Sequence, residues 1–333
     1  MGGEFSSPFL SEENYTGGYV SFEFLREGRV WLEHDSKFYL LHTSRDVSFS
    51  QTFKQDEVRS KTLHTLNNVI EGSSITEANP ADFSFTLYLV DEVVKYQHVP
   101  LDLLLQAGTD LTQYLQTFNL YFVYSDNDPV VYYKIEKCMF SAGSFNIPRN
   151  GIMSVELSGQ GRKLTRVEGS TPGSIYAGYD ATPTYAISKA FDVYVGDSNP
   201  VDKLDNILGV AFEVQNSVSW TQNATVHASL DVTDSTNTIY PNNFTLSKSS
   251  LAGSIQQYVA NTNALSTNNV STWKENTTVQ VKAGLSSSNY QLELTFNDNA
   301  SFTNRVGFGD VFTQSYDFRL MGNYSSISNI ITY

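Results

Sequence analysis

The sequence predicts an all-β protein made of two tandem β-barrel or β-sandwich domains, each with one short helix, that are related by internal duplication. Only 17% of its 333 residues are charged while 13% are aromatic. Uncharged polar residues that alternate with aromatic and β-branched residues suit the half-buried surface of a pleated sheet. The chain is longer than the roughly 250 residues at which a single core stops growing, and short motifs recur in its two halves.

Alternation of apolar and polar residues predicts the strands of the first half. Residues 83–89, with the sequence FSFTLYL, have the period of two that places one face of a strand in a core. Strands are predicted in this way at 38–41, 47–53, 83–90, 120–124, 130–140 and 152–157. Leucines at helical spacing predict a helix over 101–115, for which Pro100 and Asp102 are favourable start signals.

The second half repeats this order of elements. Strands are predicted at 207–214, 217–221, 243–246, 278–282, 290–296 and 316–321. A short helix is predicted between the third and fourth of these strands, at 251–260. Each half therefore reads as a small β-barrel or sandwich with one helix laid against it.

Four short motifs occur in the same order in both halves, which predicts a duplication. The pairs are VSFSQ at 47–51 with VSWTQ at 218–222, PADFSF at 80–85 with PNNFTL at 241–246, YKIE at 133–136 with YQLE at 290–293, and LSG at 157–159 with LMG at 320–322. A Gly/Ser/Pro-rich run lies between the halves and has the composition of a linker. The predicted domains are therefore 1–170 and 183–333, joined by a linker at 171–182.

Composition also limits the classes of function. The formal net charge of −14 argues against a protein that grips nucleic acid by its phosphates, because that grip comes from Lys and Arg. No stretch approaches the roughly 18 apolar residues that a membrane helix needs, so no membrane anchor is expected.

No pattern of catalytic or metal-ligating residues emerges. The five histidines lack the close spacing that metal ligands commonly show. The single cysteine, Cys138, lies in an alternating strand, where a small buried thiol is the simpler interpretation. We therefore expect no cofactor, no metal and no enzymatic activity.

The segment from 55 to 78 is long for a connection between paired strands, for which 2–5 residues are usual. It also carries more charge than the strands that flank it. Two interpretations remain open at this point: a mobile surface loop, or an arm that becomes ordered against a neighbouring subunit.

The order and spacing of these elements resemble the tail tube proteins of long-tailed bacteriophages. The resemblance runs once through each half and rests on VSFSQ at 47–51, FSFTLYL at 83–89, YKIEKCMFSAGSF at 133–145 and the closing MSVELSGQG at 153–161, of which DFRLMG at 317–322 is a degenerate counterpart. It implies tail-tube-like barrels, six of which close into a ring, so that three copies of this two-domain chain form a pseudo-hexameric trimer.

The resemblance also implies a function and a set of partners. Rings stack into the major tail tube, which conducts DNA during ejection without binding it specifically. The segment 55–78 would reach the adjacent ring, with inter-ring contact candidates Asp56, Glu57, Arg59 and Lys61. Tail terminator, tape measure and baseplate or distal tail proteins would be partners of a virion component that is assembled in the host cytoplasm.

Three other interpretations stay open. A tail-end hub or distal tail protein would have the same fold at another position, although hubs commonly carry inserted domains for which this chain has no spare length. A β-sandwich adhesin would bind carbohydrate through exposed aromatic residues, but no aromatic cluster is readable around the three tryptophans. A capsid or decoration protein is the third.

Overall fold

The computed structural model describes residues 28–60, 69–90, 98–105, 117–125, 130–174, 184–196, 202–221, 239–241, 243–258, 277–287, 289–307, 312–320 and 331–332. Within these ranges the chain is almost entirely β-strand, with one short helix. The predicted all-β fold class is confirmed.

The first half contains ten strands and the helix. In chain order they are β1 (Arg29–His34), β2 (Lys37–Leu41), β3 (Thr43–Ser50), β4 (Phe53–Ser60), β5 (Val69–Ala78), β6 (Ala81–Tyr88), α1 (His98–Leu105), β7 (Phe118–Ser125), β8 (Val130–Ile147), β9 (Ser154–Gly161) and β10 (Lys163–Gly169). The strands predicted in this half all fall on this series, whereas β1, β4, β5 and β10 were not predicted.

The second half contains the remaining strands. They are β11 (Ala190–Gly196), β12 (Asp202–Leu204), β13 (Ile207–Thr221), β14 (Asn243–Tyr258), β15 (Thr277–Ser286), β16 (Asn289–Gly307), β17 (Thr313–Leu320) and β18 (Ile331–Thr332). The two strands predicted at 207–214 and 217–221 are one continuous strand, β13, whose register against β14 shifts after Ser217.

One curved path of antiparallel strands runs through both halves. Its order is β3, β6, β9, the C-terminal part of β8, β13, β14, β17 and the C-terminal part of β16. We call this path the shared array. It passes from the first half to the second between β8 and β13.

Each half adds a flanking array that packs over the shared array. In the first half, β2, β1 and β7 lead to the N-terminal part of β8, which also pairs with β10. In the second half, β12, β11 and β15 lead in the same way to the N-terminal part of β16, which also pairs with β18. The strands β8 and β16 are 18 and 19 residues long because each belongs to two layers.

Strand β8 changes layer at a local irregularity. Lys137 has a positive φ of 51°, and its backbone N–H donates to the Asn119 side-chain oxygen at 3.0 Å. A second irregularity follows between Phe140 and Ala142. Bulges of this kind bend a strand and increase its twist, which lets one strand turn the corner of a sandwich.

The larger of two apolar clusters fills the space between the layers and extends through both halves. Strand β6 shows why: its odd-numbered residues Phe83, Phe85 and Leu87 are buried, whereas the residues between them face outward. Phe145 of β8 stacks on Phe212 of β13 with ring centroids 4.1 Å apart, so the core is continuous across the boundary between the halves.

The helix α1 packs on β8. Leu101, Leu103 and Leu104 are buried, and a Cβ atom at Gly143 would collide with the Leu104 side chain, so the glycine permits the close approach. The helix begins at His98, two residues earlier than Pro100 predicted. Its described part ends at Leu105, and the remainder of the predicted helix, 106–115, lies outside the described residues.

The helix predicted at 251–260 is wrong over its described part, because β14 extends through it to Tyr258. Leu251, Ile255 and Gln257 point to the core as alternate residues of a strand. The alternation is hidden in the sequence because the core-facing position between the first two is Gly253. A Cβ atom there would meet the Phe318 ring, which takes up the space.

Two of the four recurring motifs occupy equivalent positions. Ile135 and Leu292 lie opposite Leu120 of β7 and Ala283 of β15, which are corresponding strands. The leucines that begin the closing motifs, Leu157 of β9 and Leu320 of β17, each pair with the C-terminal part of the long strand. Residues 321–322 of the second motif lie outside the described residues. The other two pairs of motifs lie on corresponding strands, β3 with β13 and β6 with β14, but at positions displaced along them.

The displacement follows from the pairing register. Val155 of β9 pairs with Leu87, and its counterpart Phe318 of β17 pairs with Gly253. Two residues before Leu87 and Gly253 on their strands stand Phe85 and Leu251. Leu251 therefore occupies the position of Phe85, whereas the motif match had aligned Phe85 with Leu246. The two halves differ there: β13 and β14 each run on as one strand, whereas in the first half β3 and β4, and likewise β5 and β6, are separate strands.

Candidate functional site

One face of the shared array is polar along its whole length. Its side chains are those that alternate with the buried core residues, and nearly all are exposed or half-buried. We call it the polar face. Its members include Asp46, Ser48, Ser50, Asp82, Ser84, Thr86, Ser144, Asn146, Glu156, Ser158, Gln160, Ala211, Glu213, Gln215, Ala252, Ser254, Gln256, Thr303, Arg305, Asp317 and Arg319.

Small uncharged side chains dominate this face, and most described charges on it are acidic. The described acids are Asp46, Asp82, Glu156, Glu213 and Asp317, against two arginines, Arg305 and Arg319.

Neighbouring polar side chains hold one another in place. Gln160 donates to Asp82 at 2.9 Å and Gln215 donates to Glu213 at 2.8 Å. Arg305 pairs with Asp317 at 3.0 Å, which neutralises part of the positive charge. The described face therefore presents carboxylates and hydroxyls more than cations.

The polar face is concave in the second half. A groove of about 550 Å³ lies on it, and its lining comes from five successive strands of the array: Ser144 of β8, Glu213 of β13, Ser254 of β14, Asp317 of β17 and Thr303 of β16. The groove is shallow and open, and its lining by five adjacent strands indicates that the sheet curves toward that side.

The shared array has an unpaired edge at each end. Among the described strands, β3 pairs only with β6, and residues 301–307 of β16 pair only with β17. Beside the β3 edge lies a groove of about 860 Å³, lined in part by Val47 and Phe49 of β3 and by Phe122 of β7. Unpaired edges of this kind expose backbone donors and acceptors to another chain.

The halves meet along a ladder that we call the internal joint. Residues 210–215 of β13 pair antiparallel with residues 142–147 of β8. Glu213 lies opposite Ser144, and Val214 lies opposite Gly143. The joint thus unites the end of the first half's array with the beginning of the second half's.

A buried amide locks the internal joint. Asn216 is 5% exposed, and its side-chain nitrogen donates to the carbonyl oxygens of Leu104 at 2.8 Å and Phe140 at 3.1 Å. It therefore links β13 to both α1 and β8. Removing this amide should cost more stability than the net contribution of its two hydrogen bonds, because both buried carbonyl oxygens then lose that donor.

The chain that follows the predicted linker strengthens this contact. Ala186 donates its N–H to the Leu89 carbonyl at 2.9 Å and accepts from Met153 N–H at 3.0 Å. Ile187 N–H is bound by the Gln291 side-chain oxygen at 3.1 Å. The segment thus bridges the first half and β16 of the second.

A two-stranded ribbon of β4 and β5 projects from the shared array as a sheet of its own. The sequence left open a loop or an arm for 55–78, and the described part is this ribbon. Of the predicted contact residues, Asp56 and Glu57 are exposed on β4. Arg59 lies on β4 opposite Ile70, its side chain outside the description, and Lys61 lies outside the described residues.

Two exposed apolar residues of the ribbon were not predicted from the sequence as contact residues. Phe53 is 41% exposed and Ile75 is 49% exposed. Phe53 pairs with Ala78 and Ile75 pairs with Gln55, which places both on the same face of the ribbon. In the sequence, each is an apolar residue in a stretch that is otherwise charged and polar. This feature was overlooked because the segment was interpreted as a loop or an arm and not as paired strands.

The base of the ribbon is fixed by polar and aromatic contacts. Gln51 donates to the Asn79 carbonyl at 2.9 Å and accepts from Leu164 N–H at 2.9 Å. From the second half, Tyr240 packs edge-on against Phe53 with ring centroids 6.3 Å apart, and the Lys163 ammonium lies 4.8 Å from the Tyr240 ring centre. These contacts fix where the ribbon leaves the array.

Each flanking array carries a tyrosine bound to a carboxylate. Tyr121 donates to Glu33 at 2.5 Å, and Tyr290 donates to Asp192 at 2.5 Å. Burial, together with the adjacent carboxylates, raises the pKa of both phenols above the usual value. Lys203, 2.7 Å from Asp192, and the Tyr290 bond outweigh burial and lower the pKa of Asp192. These groups stabilise the fold on the side away from the polar face.

Within the described ranges no cluster of three or more His, Cys, Asp or Glu side chains could hold a metal ion. Cys138 is buried, and burial raises the pKa of its thiol. In the same ranges no helix is long and apolar enough to cross a membrane.

Comparison with known proteins gives one clear assignment. A search of curated proteins finds none that matches this chain. A family model described as the Bacteriophage Baseplate Tube Protein Family matches residues 20–333, which is nearly the whole sequence. The chain therefore belongs to the bacteriophage baseplate tube protein family and is a structural component of the phage virion.

Proposed function

We propose that three copies of this chain close into a ring of six similar halves, and that the polar face lines a channel through which phage DNA passes. The role is structural, with no catalytic step. One observation carries the proposal: the internal joint between β8 and β13 leaves the corresponding strands, β16 and β3, unpaired at the two ends of the described array. Copies joined through those ends extend the array until it closes.

The proposal includes an internal duplication. Strands β3, β6, β9 and β8 pair in the same order as β13, β14, β17 and β16, and the flanking strands β2, β1, β7 and β10 correspond to β12, β11, β15 and β18. A joint that works between two halves of one chain can then recur between chains. Closure also removes the exposed edges, which otherwise invite uncontrolled pairing.

The chemistry of the polar face suits passage of a polyanion. Duplex DNA carries one negative charge per roughly 1.7 Å of its axis, and a wall rich in Lys and Arg would bind it through release of counterions. The described face instead offers hydroxyls, amides and carboxylates, and one of its arginines is paired with Asp317. Weak repulsion allows the DNA to slide.

The ribbon of β4 and β5 is proposed as the contact with the next ring. A ribbon of two strands is marginally stable alone in water, and Phe53 and Ile75 give this one an apolar face to bury. The charged residues Asp56 and Glu57 beside them would set the orientation of the contact. Tape measure, tail terminator and distal tail proteins remain the expected partners.

The family description favours a position in the baseplate, where a tube ring continues the tail tube. The second candidate is the major tail tube subunit of the tail itself, which the ribbon would also suit. Quantitative mass spectrometry of purified virions separates them: a baseplate ring requires a few copies per virion, whereas a tail tube subunit requires many rings.

Closure into rings is tested on the purified full chain. Light scattering after size exclusion should give the mass of a trimer, and negative-stain class averages should show a three-fold particle with a central hole. A stable monomer at all concentrations, or an open filament with no closed particles, would refute the proposal.

The channel is tested by placing positive charge on the polar face. The double variant Ser50→Arg/Gln256→Arg adds two cations per chain at exposed positions on β3 and β14. It should acquire salt-dependent duplex binding that the wild-type ring lacks. The matched control, Ser170→Arg/Thr171→Arg, adds the same charge at exposed positions after β10 and should not bind. Equal binding by both variants would contradict the placement of the channel.

A further inference from the structure

Resting on the proposed ring, we infer that β3 of one copy pairs with β16 of the next in one fixed register, in which Asp46 lies directly opposite Ser301. The partner is a second copy of this chain. The register is that of the internal joint, transferred to the strands at the two ends of the shared array.

The internal joint supplies the template. There, Glu213 of β13 lies opposite Ser144 of β8, and the next pair along is Val214 with Gly143. These positions are well defined on both sides, since Phe145, beside Ser144, stacks on Phe212, beside Glu213.

The counterpart of Ser144 is identified through the neighbouring strand. Phe145 pairs with Val155 of β9, and Phe302 pairs with Phe318 of β17 in the same place in the second half. Since β9 and β17 correspond, Phe145 corresponds to Phe302. Ser144 therefore corresponds to Ser301, the residue before it.

The counterpart of Glu213 follows from the opposite side of the array. Phe85 and Leu251 occupy equivalent positions on β6 and β14, as the register of those strands established. Their partners are Val47 on β3 and Val214 on β13. Val47 therefore corresponds to Val214. Asp46, the residue before it, corresponds to Glu213 and lies at the end of an irregularity between Thr43 and Val47 in the pairing of β3 with β6.

The chemistry of these positions repeats. An acid faces a serine in the internal joint, Glu213 with Ser144, and the transferred register again sets an acid, Asp46, against a serine, Ser301. On the other side of this pair the two joints differ: Val214 pairs with Gly143, whereas Ala300 already pairs with Thr277 of β15. The ladder between copies therefore begins at Asp46 with Ser301 and runs toward Thr43 and Asn304. A shift by one residue would put the outward residues of one strand beside the core residues of the other.

The outer edge of β3 at Asp46 has no partner strand among the described strands. Its backbone N–H donates to the hydroxyl of Ser44 at 3.3 Å, a long local bond. Val47, the adjacent residue, is half-buried beside the groove next to β3. A strand from another copy can replace the local bond with a ladder and cover the groove.

Disulfide trapping tests the register. Directly opposite residues of an antiparallel pair have Cα atoms about 4.5–5.5 Å apart, which lies within the range for a disulfide. The double variant Asp46→Cys/Ser301→Cys, oxidised after ring assembly, should therefore move from the monomer band to a trimer band on a non-reducing denaturing gel. The only native cysteine, Cys138, is buried and should not interfere.

The matched control shifts one cysteine by two residues on the same face. In Ser48→Cys/Ser301→Cys the two positions are diagonal neighbours, roughly 7–8 Å apart, and the band should stay at the monomer. Each single variant should give no trimer band.

The outcomes separate this inference from the proposed function. Rings with trimer bands only for Asp46→Cys/Ser301→Cys support both. Rings in which Ser48→Cys/Ser301→Cys cross-links instead, or in which neither pair does, overturn the register and leave the ring intact. If the wild-type chain forms no closed particle, the proposed function fails first and the register fails with it.

Discussion

Replacement of Asn216 should weaken the internal joint far more than any neighbouring surface change. Its amide is 5% exposed and donates to two backbone carbonyls, Leu104 O at 2.8 Å and Phe140 O at 3.1 Å. Loss of a neutral hydrogen bond costs about 0.5–1.5 kcal/mol net, and an acceptor left buried without its donor costs about 1–3 kcal/mol. Because the amide makes two such hydrogen bonds, we expect Asn216→Ala to lower the free energy of unfolding by about 2–4 kcal/mol.

A second variant separates hydrogen bonding from packing. Asn216→Asp keeps the shape of the side chain but replaces the donor with a carboxylate that faces two carbonyl oxygens. It should destabilise more than Asn216→Ala at neutral pH, because a buried unpaired charge is added. Such a carboxyl has a raised pKa, so its protonated form is the one compatible with the fold, and part of the loss should be regained as the pH falls through that pKa.

The assay is urea-induced unfolding of the full chain, followed by circular dichroism. The matched control is Gln215→Ala, one residue away on the exposed polar face, where a change within about 0.5 kcal/mol is expected. If Asn216→Ala and Asn216→Asp are no more destabilising than Gln215→Ala, the amide does not lock the joint and the reasoning is refuted.

Three further predictions follow from the described contacts. Gly253→Ala should cost about 1–3 kcal/mol of stability, because its Cβ would lie against the Phe318 ring and 2.8 Å from Ala211 O, whereas Gly209→Ala, which has open space, should leave the melting temperature unchanged. The pKa values of Tyr121 and Tyr290 are raised, so the stability that these phenols give the fold is complete below the ordinary phenol value of 10 and is lost as pH rises above it. The stability of Tyr121→Phe/Tyr290→Phe, followed by circular dichroism at alkaline pH, should therefore depend less steeply on pH than that of the wild type. An unchanged slope would contradict this. Phe53→Ser/Ile75→Ser should abolish stacking of rings in electron micrographs while the mass of the single ring stays the same, and a control at Lys54→Ser should stack normally.

The sequence predicted the fold class and most strands because alternation is a local property. In β6, each apolar residue of the pattern at 83–89 points to the core, as the period of two requires. The recurrence of YKIE and YQLE found the long strands β8 and β16 correctly for the same reason. Prediction failed at β14, where Gly253 occupies a core position and interrupts the visible alternation.

The candidate site was only partly predictable. The charge density of 55–78 drew attention to the segment that forms the ribbon, and Asp56 and Glu57 are indeed exposed there. The importance of Phe53 and Ile75 depends on the register of β4 and β5, which brings them to one face. Asn216 could not be distinguished from any other asparagine, because its role depends on carbonyls far away along the chain.

The sequence by itself determined that this chain is a β protein with repeated motifs and few cations, since these features depend on residue type and on spacing along the chain. Only the tertiary structure decided that β8 meets β13 and that the polar residues of both halves share one face. The strand pairing also showed that the two unpaired ends of the described array are β3 and the C-terminal part of β16. Pairing between strands distant in sequence leaves no periodic trace in either strand, because each edge is chosen by the packing of the whole core.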